Sequence, residues 1–225
     1  MCGFAGLQRL DIDRGKCLDA GTMAESLAHR GPDAAGTWKC PAGNFELGFR
    51  RLAIRDLDPR ANQPMVSASG RTVLVFNGEI YNTEELVARF CPGVVLRTTS
   101  DSEVLLEAFD RCGPDVLDEI NGMFAAVFYG IESGTAWLAR DAAGKKPLYL
   151  YESNGYVAFG SELRAFSGLP LDPDPSRVPF FLHFGYIPAP DTFYRDVSQL
   201  RPGERVQLRG GRVVARHRFH DPLSW

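Results

Sequence analysis

The alternation of apolar and polar residues predicts strands and helices along the first half of the chain. Residues 4–10 are expected to form a first strand, and a helical pattern runs from about residue 18 to residue 28. Gly31 and Pro32 end this pattern, because neither residue readily continues a helix. A further strand is predicted over residues 44–54, and a polar loop with several prolines follows it.

Two segments are apolar on both faces, which predicts strands that are covered on both sides. The first is short, residues 72–76, and is expected to break at Asn77-Gly78. The second comprises residues 122–129. Its alternate side chains face opposite ways, with Met123, Ala125 and Val127 on one face and Phe124, Ala126 and Phe128 on the other.

Two helices are predicted in the middle of the chain from capping-box spacing, in which a polar N-cap residue is followed three residues later by Glu. Asn82 and Glu85 open the first helix, and Ser100 and Glu103 open the second. Gly113 and the proline after it close the second helix.

Turn residues in the second half predict hairpins at Glu132-Ser133-Gly134, Asn154-Gly155 and Gly210-Gly211. Hairpins build antiparallel sheets, and the strands that are apolar on both faces need cover on both sides. We therefore expect an α+β protein with two stacked, mainly antiparallel sheets flanked by helices. The proline-rich stretch 170–179 is interpreted as a surface connection within one domain.

The composition is that of an ordinary globular chain. Its 225 residues are 44% hydrophobic and carry a formal net charge of −3, which argues against nucleic acid as the main partner. No apolar run approaches the ~20 residues of a membrane-spanning helix, and the N-terminus lacks a signal-peptide pattern. The cysteines are odd in number and widely spaced, which favours reduced thiols in the cytoplasm over disulfides or a metal site. They are Cys2, Cys17, Cys40, Cys91 and Cys112.

Cys2 has the most specific chemical option in the sequence. If Met1 is removed, Cys2 carries a thiol and a free α-amine, so that the thiol can act as a nucleophile and the amine as its general base. A model α-amine titrates near ~7.7–8.0 and is partly unprotonated at neutral pH. Taken alone, however, Cys2 is more simply interpreted as a residue without a special function, because any residue can stand at position 2.

A series of short motifs occurs in order over nearly the whole chain. They are Cys2-Gly3, His29-Arg30-Gly31-Pro32-Asp33, Arg51-Leu52-Ala53-Ile54, Asn77-Gly78-Glu79-Ile80-Tyr81-Asn82, Ser100-Asp101, Gly122-Met123-Phe124-Ala125, Arg140-Asp141, Lys146-Pro147-Leu148-Tyr149, Ser161-Glu162 and Gly185-Tyr186-Ile187-Pro188-Ala189-Pro190. Together they resemble the glutaminase domain of class II glutamine amidotransferases, in particular that of the asparagine synthetases. The resemblance implies the N-terminal-nucleophile fold, a four-layer αββα sandwich, with residues 1–225 as one glutaminase domain.

The resemblance implies that glutamine is hydrolysed through a γ-glutamyl thioester. Cys2 would be the nucleophile and its freed amine the base. The side chain of Asn77 and the backbone N–H of Gly78 would form the oxyanion hole. Arg51 would bind the α-carboxylate of glutamine, a bidentate task that suits guanidinium better than ammonium.

Four further residues would hold the amino-acid part of glutamine. Glu79 and Asp101 would accept hydrogen bonds from its α-ammonium group, and backbone groups around Leu52 and Ile54 would help to hold the ligand. Each residue also has a plainer interpretation: Arg51 as a surface salt bridge, Asn77-Gly78 as a turn and Asp101 as a helix cap.

Outside this set, Arg140 and Asp141 are expected to form an ion pair that supports the core, and His29 is interpreted as structural. Relatives usually have an apolar residue at the position of Arg55, so the loop behind the pocket is expected to pack differently here.

The chain contains neither the Ser-Gly-Gly-x-x-Ser pyrophosphate loop of the synthetases nor a Walker-type loop. No cofactor or metal is therefore expected in this domain, and ATP and Mg are expected only in a partner synthetase domain or subunit that accepts the ammonia. The acceptor of the ammonia would be a carboxylate such as aspartate. The formation of a homo-oligomer is a further open alternative. Several aromatic residues near the C-terminus either contact the partner synthetase domain or belong to the ordinary core. They are Phe180, Phe181, Phe184, Tyr186 and Trp225.

Two other functions compete with this hypothesis. One is an N-terminal-nucleophile amidase that acts on another amide, against which the pair Arg51 and Asp101 argues, since it fits an α-amino acid. The other is a domain that binds glutamine or a partner without turnover, with a regulatory or scaffolding role. Intact Cys2, Asn77 and Gly78 argue against that alternative.

Overall fold

The computed structural model describes residues 1–13 and 18–220, and its strands fall into two sheets. The strands are β1 Gly3–Arg9, β2 Ala34–Lys39, β3 Phe45–Arg51, β4 Met65–Val66, β5 Thr72–Ile80, β6 Gly122–Gly130, β7 Thr135–Arg140, β8 Tyr149–Ser153, β9 Tyr156–Gly160, β10 Val197–Gln199, β11 Glu204–Arg209 and β12 Arg212–Arg218. The α-helices are α1 Ala20–Glu25, α2 Thr83–Phe90, α3 Asp101–Cys112 and α4 Val178–Phe184.

Both sheets are antiparallel. The first sheet has the order β10-β8-β9-β1-β3-β2, and the second has the order β12-β11-β7-β6-β5-β4. The hairpins predicted from Gly134, Gly155 and Gly210-Gly211 are confirmed as β6–β7, β8–β9 and β11–β12. Each glycine has a positive φ, the conformation that suits a residue without Cβ.

The main apolar core lies between the two sheets. Phe4 and Phe49 of the first sheet pack with Val75 and Val127 of the second in one buried cluster. A second cluster lies on the outer face of the second sheet, where α3 covers Phe128. As predicted, β6 therefore buries both of its faces, since alternate residues belong to different clusters.

Helices cover the outer faces. Ala20 and Met23 of α1 pack on Leu7 of the first sheet, and Phe109 of α3 stacks on Phe128 with ring centroids 3.8 Å apart. The layers are therefore helix, sheet, sheet and helix, as the sequence predicts.

The predicted end of the strand over residues 72–76 was wrong. β5 does not break at Asn77 but continues to Ile80, because residues 77–80 pair with the first residues of β6, with Gly78 opposite Phe124. Cross-strand pairing here overrides the turn preference of Asn-Gly. The strand β2 was not predicted, and α1 is shorter than the helical pattern over residues 18–28.

The two predicted helices form, but neither capping box is reciprocal. The Ser100 side chain caps α3 by accepting from Ser102 N at 3.3 Å. The Glu103 carboxylate instead accepts from Thr98 N at 2.7 Å. The Asn82 side chain does not cap α2 and accepts from Asn121 N at 3.0 Å.

Arg140 and Asp141 do not form the expected ion pair, because both are occupied by backbone groups. Arg140 donates to the carbonyl oxygens of Lys146 and Gly144. Asp141 accepts from Phe124 N and Lys146 N at 3.2 and 2.9 Å. Both residues therefore support the core separately, by fixing loops against β6.

The described cysteines form no disulfide bond, as the sequence predicts. Cys2, Cys40, Cys91 and Cys112 are free thiols, and Cys17 lies outside the described residues. Within residues 1–13 and 18–220, no helix is long and apolar enough to cross a membrane.

The stacking of α3 on the second sheet generates a stability prediction. Phe128→Ala should lower the free energy of unfolding by about 3–5 kcal/mol, because it removes a fully buried ring and leaves a cavity under Phe109. Urea denaturation measures this change. As a control, Val95→Ala should change stability by no more than about 0.5 kcal/mol, because Val95 is exposed. Equal effects of both substitutions would contradict the proposed packing.

Candidate active site

All eight residues predicted for the site line one cavity, which has a volume of about 260 Å³. They are Cys2, Arg51, Leu52, Ile54, Asn77, Gly78, Glu79 and Asp101. The cavity is slightly smaller than the ~300–1,000 Å³ typical of sites for drug-sized ligands, so it suits a small metabolite. It lies where the two sheets meet, since Cys2 before β1 and the end of β3 supply one wall and β5 and the start of α3 supply the other.

Cys2 precedes β1 and is held from two sides. Its Sγ lies 3.4 Å from Leu52 N and 3.6 Å from Leu52 O, beyond the end of β3. Its backbone carbonyl accepts from Arg30 Nε at 3.0 Å, and Arg30 Nη1 donates to Glu162 at 2.6 Å. The thiol is thus fixed at the cavity wall by β1–β3 pairing and by an arginine that is itself anchored.

Met1 also lines the cavity, and its Sδ lies 3.5 Å from Lys146 Nζ. While Met1 is present, the nitrogen of Cys2 is a peptide nitrogen without a basic lone pair. Met1 therefore both occupies part of the cavity and blocks the base function that the sequence suggests for Cys2.

Asn77 reaches the cavity because β5 continues past the predicted turn. Strand side chains alternate, so Asn77 and Glu79 lie on the same face of β5 as Val73 and Val75, which pack between the sheets. Asn77 is 2% exposed, and its Nδ2 has no hydrogen-bond acceptor among the described residues. Buried amides are normally paired, so this unpaired donor at the cavity suggests a binding function.

The backbone N–H of Gly78 faces the free edge of β5. Phe76 N donates to Gln63 Oε1 at 2.6 Å and Ile80 N donates to Asp101 Oδ2 at 3.0 Å, both away from β6. Gly78 lies between these two residues, and alternation sends its N–H to the same edge. A side chain at Gly78 would collide with the Met123 carbonyl and with Phe124.

Arg51 ends β3 and is buried, with part of its guanidinium committed to the following loop. It donates to the carbonyl oxygens of Asp56 and Asp58 and to Asn62 Oδ1. Of its five N–H groups, Nε–H and one Nη2–H have no acceptor among the described residues. Two such donors are what a bidentate contact to a carboxylate requires.

Asp101 begins α3 and is 6% exposed. Burial raises the pKa of its carboxyl group, although the Ile80 N–H and the Arg55 guanidinium oppose that rise. Arg55 Nη1 lies 3.6 Å from Asp101 Oδ2. Glu79 is half-buried beside this carboxyl group and adds a second negative charge to the same end of the cavity.

Several residues that shape the site were not assigned to it from the sequence. Arg30 and Lys146 lie in the ordered motifs but were given no role, and Gln63 lies in none of them. His29, interpreted as structural, lies 3.1 Å from Glu162 and is not part of the cavity lining. Within the described ranges, no group of three or more His, Cys, Asp or Glu side chains is arranged to hold a metal ion.

Several known proteins are similar to this chain in sequence. The family of glutamine amidotransferase domains matches residues 1–220. A putative glutamine-hydrolysing asparagine synthetase of Mycobacterium bovis is 33% identical over 84% of this chain and 31% of its own length. Asparagine synthetase B of Escherichia coli is 35% identical over 73% of this chain and 30% of its own length. The chain thus spans about a third of these relatives.

Two solved structures share the fold. The glutamine phosphoribosylpyrophosphate amidotransferase of Bacillus subtilis superimposes with a TM-score of 0.68 at 20% identity, over 97% of this chain and 49% of that one. An allosteric regulatory enzyme of purine biosynthesis gives 0.72 at 19% identity, with the same coverage. The predicted αββα sandwich of the N-terminal-nucleophile type is confirmed. With a family match over nearly its whole length, the chain belongs to the glutamine amidotransferase domains.

Proposed function

We propose that this domain hydrolyses glutamine through a γ-glutamyl thioester on Cys2. The observation that carries the proposal is the buried, unpaired Nδ2 of Asn77, which lines the same cavity as the thiol. An unsatisfied buried donor costs about 1–3 kcal/mol. Such a cost is expected where the donor is kept for a developing negative charge.

In this mechanism the thiolate of Cys2 attacks the side-chain carbonyl carbon of glutamine. Negative charge then develops on the carbonyl oxygen, where Asn77 Nδ2–H and Gly78 N–H would donate to it. The Cys2 α-amine takes the thiol proton and passes it to the amide nitrogen, so that the C–N bond breaks and ammonia leaves. Water next attacks the thioester, glutamate leaves, and the thiol is restored.

Removal of Met1 is part of the proposal. A retained Met1 keeps the Cys2 nitrogen in an amide bond, and it also occupies the cavity beside Lys146. The small side chain of Cys2 suits cleavage by an aminopeptidase.

The charges of the cavity fit the two ends of a zwitterionic amino acid. Arg51 would bind the α-carboxylate with its two remaining N–H groups, and backbone groups of Leu52 and Ile54 would lie beside it. Asp101 and Glu79 would bind the α-ammonium group. These charges favour glutamine over a simple amide, which is the substrate of the competing amidase hypothesis.

We further propose that the ammonia is used by an ATP-dependent synthetase domain that amidates a carboxylate such as aspartate. Ammonia released alone would be protonated and diluted. The similar proteins named as glutamine-hydrolysing asparagine synthetases are about three times as long as the matched region. ATP and Mg would be bound by that partner, and this domain would work in the cytoplasm.

An exposed aromatic surface is our candidate for the contact with that partner. It comprises Phe180, Phe181, Phe184 and Tyr186, which are between 43% and 61% exposed. The alternative that these residues form ordinary core is therefore wrong. Trp225 lies outside the described residues. Clustered exposed aromatic groups are typical of interaction surfaces.

The oxyanion hole and the carboxylate contact should give different kinetic signatures. Asn77→Ala should lower kcat for glutamine hydrolysis about 10²–10³-fold, because it removes a donor to the transition state. Arg51→Lys should mainly raise KM, because a point charge replaces a bidentate fork. Ammonia release measures both. Asn82→Ala is the matched control and should leave kcat intact, since Asn82 does not line the cavity. An unchanged kcat in Asn77→Ala would contradict the assignment.

Separate sites for glutamine hydrolysis and amidation should be separable by mutation. In the chain combined with its synthetase domain, Cys2→Ala should abolish glutamine-dependent amidation and leave amidation with ammonium salts intact. Product formation from each nitrogen source measures this. Cys112→Ala is the control and should retain both activities, since its thiol lies outside the cavity. Loss of both activities in folded Cys2→Ala protein would contradict separate sites.

A further inference from the structure

Arg55 occupies the end of the cavity that the proposed function assigns to the α-ammonium group of glutamine. Its Nη1 lies 3.6 Å from Asp101 Oδ2 and donates to the Ile80 carbonyl oxygen at 3.3 Å. In the described part of the chain, it is the one cationic side chain within 4 Å of that carboxylate. The resident guanidinium and an incoming ammonium group would therefore use the same negative charge.

The loop that carries Arg55 is fixed on both sides of it. Ala53 N donates to Asp33 Oδ2 at 2.7 Å, and Thr99 N donates to Asp56 Oδ2 at 2.8 Å. The backbone of Arg55 therefore has little freedom to leave the cavity. Its side chain, in contrast, is 47% exposed, so the guanidinium can rotate into water without breaking either anchor.

The partner carboxylate has no such freedom. Asp101 is buried at the start of α3 and is held by Ile80 N at 3.0 Å. A buried carboxylate needs a counter-charge, because an unpaired buried charge is costly. A cation at this position stabilises the ionised carboxylate, and the mobile member of the pair is Arg55.

We infer that Arg55 is a resident counter-ion that glutamine must displace, and that it determines how tightly the site binds its substrate. This inference rests on the proposed binding of glutamine in this cavity. A site that is competent only when Arg55 has moved away has an apparent affinity reduced by the fraction of time it is competent. Arg55 lies at the amino-acid end, so its removal should affect binding and leave the reaction at Cys2 unchanged.

The test measures glutamine hydrolysis by Arg55→Leu and Arg55→Gln in chains that begin at Cys2. KM for glutamine should fall about two- to fivefold in both variants, as expected for loss of a half-exposed competing ion pair. The value of kcat should stay within about twofold, since uniform binding changes KM alone. Arg55→Lys keeps a competing cation, and its KM should stay near that of the unchanged chain.

A second ligand distinguishes charge competition from simple obstruction. Glutaric acid monoamide has the amide and the carboxylate of glutamine but no ammonium group, so it does not need Asp101. Its inhibition constant should be the same in Arg55→Leu as in the unchanged chain. Arg60→Leu is the matched control and should alter neither constant, because Arg60 pairs with Asp58 outside the cavity lining.

Three results would overturn the inference. An unchanged or higher KM in Arg55→Leu and Arg55→Gln would show that Arg55 does not compete with glutamine. Equal decreases of KM and of the inhibition constant would show that Arg55 only obstructs the cavity. Absence of glutamine hydrolysis in the unchanged chain would instead overturn the proposed function, and this inference with it.

Discussion

The pairing of β5 along its two edges determines which of its backbone N–H groups can face the cavity. One edge is bonded to β6 as far as Ile80, whereas β4 pairs only with Leu74 and Val73 on the other. Beyond β4, the free edge of β5 points its N–H groups at side chains or at the cavity. Gln63 and Asp101 take two of them, and Gly78 N–H lies between. The proposed oxyanion donor thus arises from an incomplete sheet edge, without a special turn.

The loop after β3 connects the remaining parts of the site. Its first residue, Leu52, contacts the Cys2 thiol with both backbone groups. The carbonyl oxygens of Asp56 and Asp58, later in the loop, accept hydrogen bonds from Arg51. Two N–H groups of its guanidinium group remain for a ligand. The same loop brings Arg55 to Asp101. The position of the Cys2 thiol and the proposed contacts to the α-carboxylate and α-ammonium groups of glutamine therefore depend on one short segment between two sheets.

The sequence predicts the layered fold because its patterns are local. Hairpin glycines and the two-faced strand β6 need no long-range information, and the eight site residues predicted from the ordered motifs all line the cavity. The course of β5 after Phe76 could not be predicted, since its pairing with β6 joins segments that are far apart in the chain, such as Gly78 and Phe124, and overrides the Asn-Gly signal. The contact of Arg140 Nη1 with the Leu200 carbonyl oxygen and the pairing of Arg55 with Asp101 were missed for the same reason, because each joins residues that are far apart in the chain.

Covalent labelling of the active protein tests the central claim, that the thiol of an N-terminal Cys2 is the nucleophile. The protein is treated with the glutamine analogue 6-diazo-5-oxo-L-norleucine, and intact mass and peptide mapping locate the adduct. The mechanism predicts chains that begin at Cys2, one label per chain on its thiol, and protection by excess glutamine. Full glutamine hydrolysis by chains that retain Met1, or inactivation with the label on Cys40, Cys91 or Cys112 instead, would contradict it.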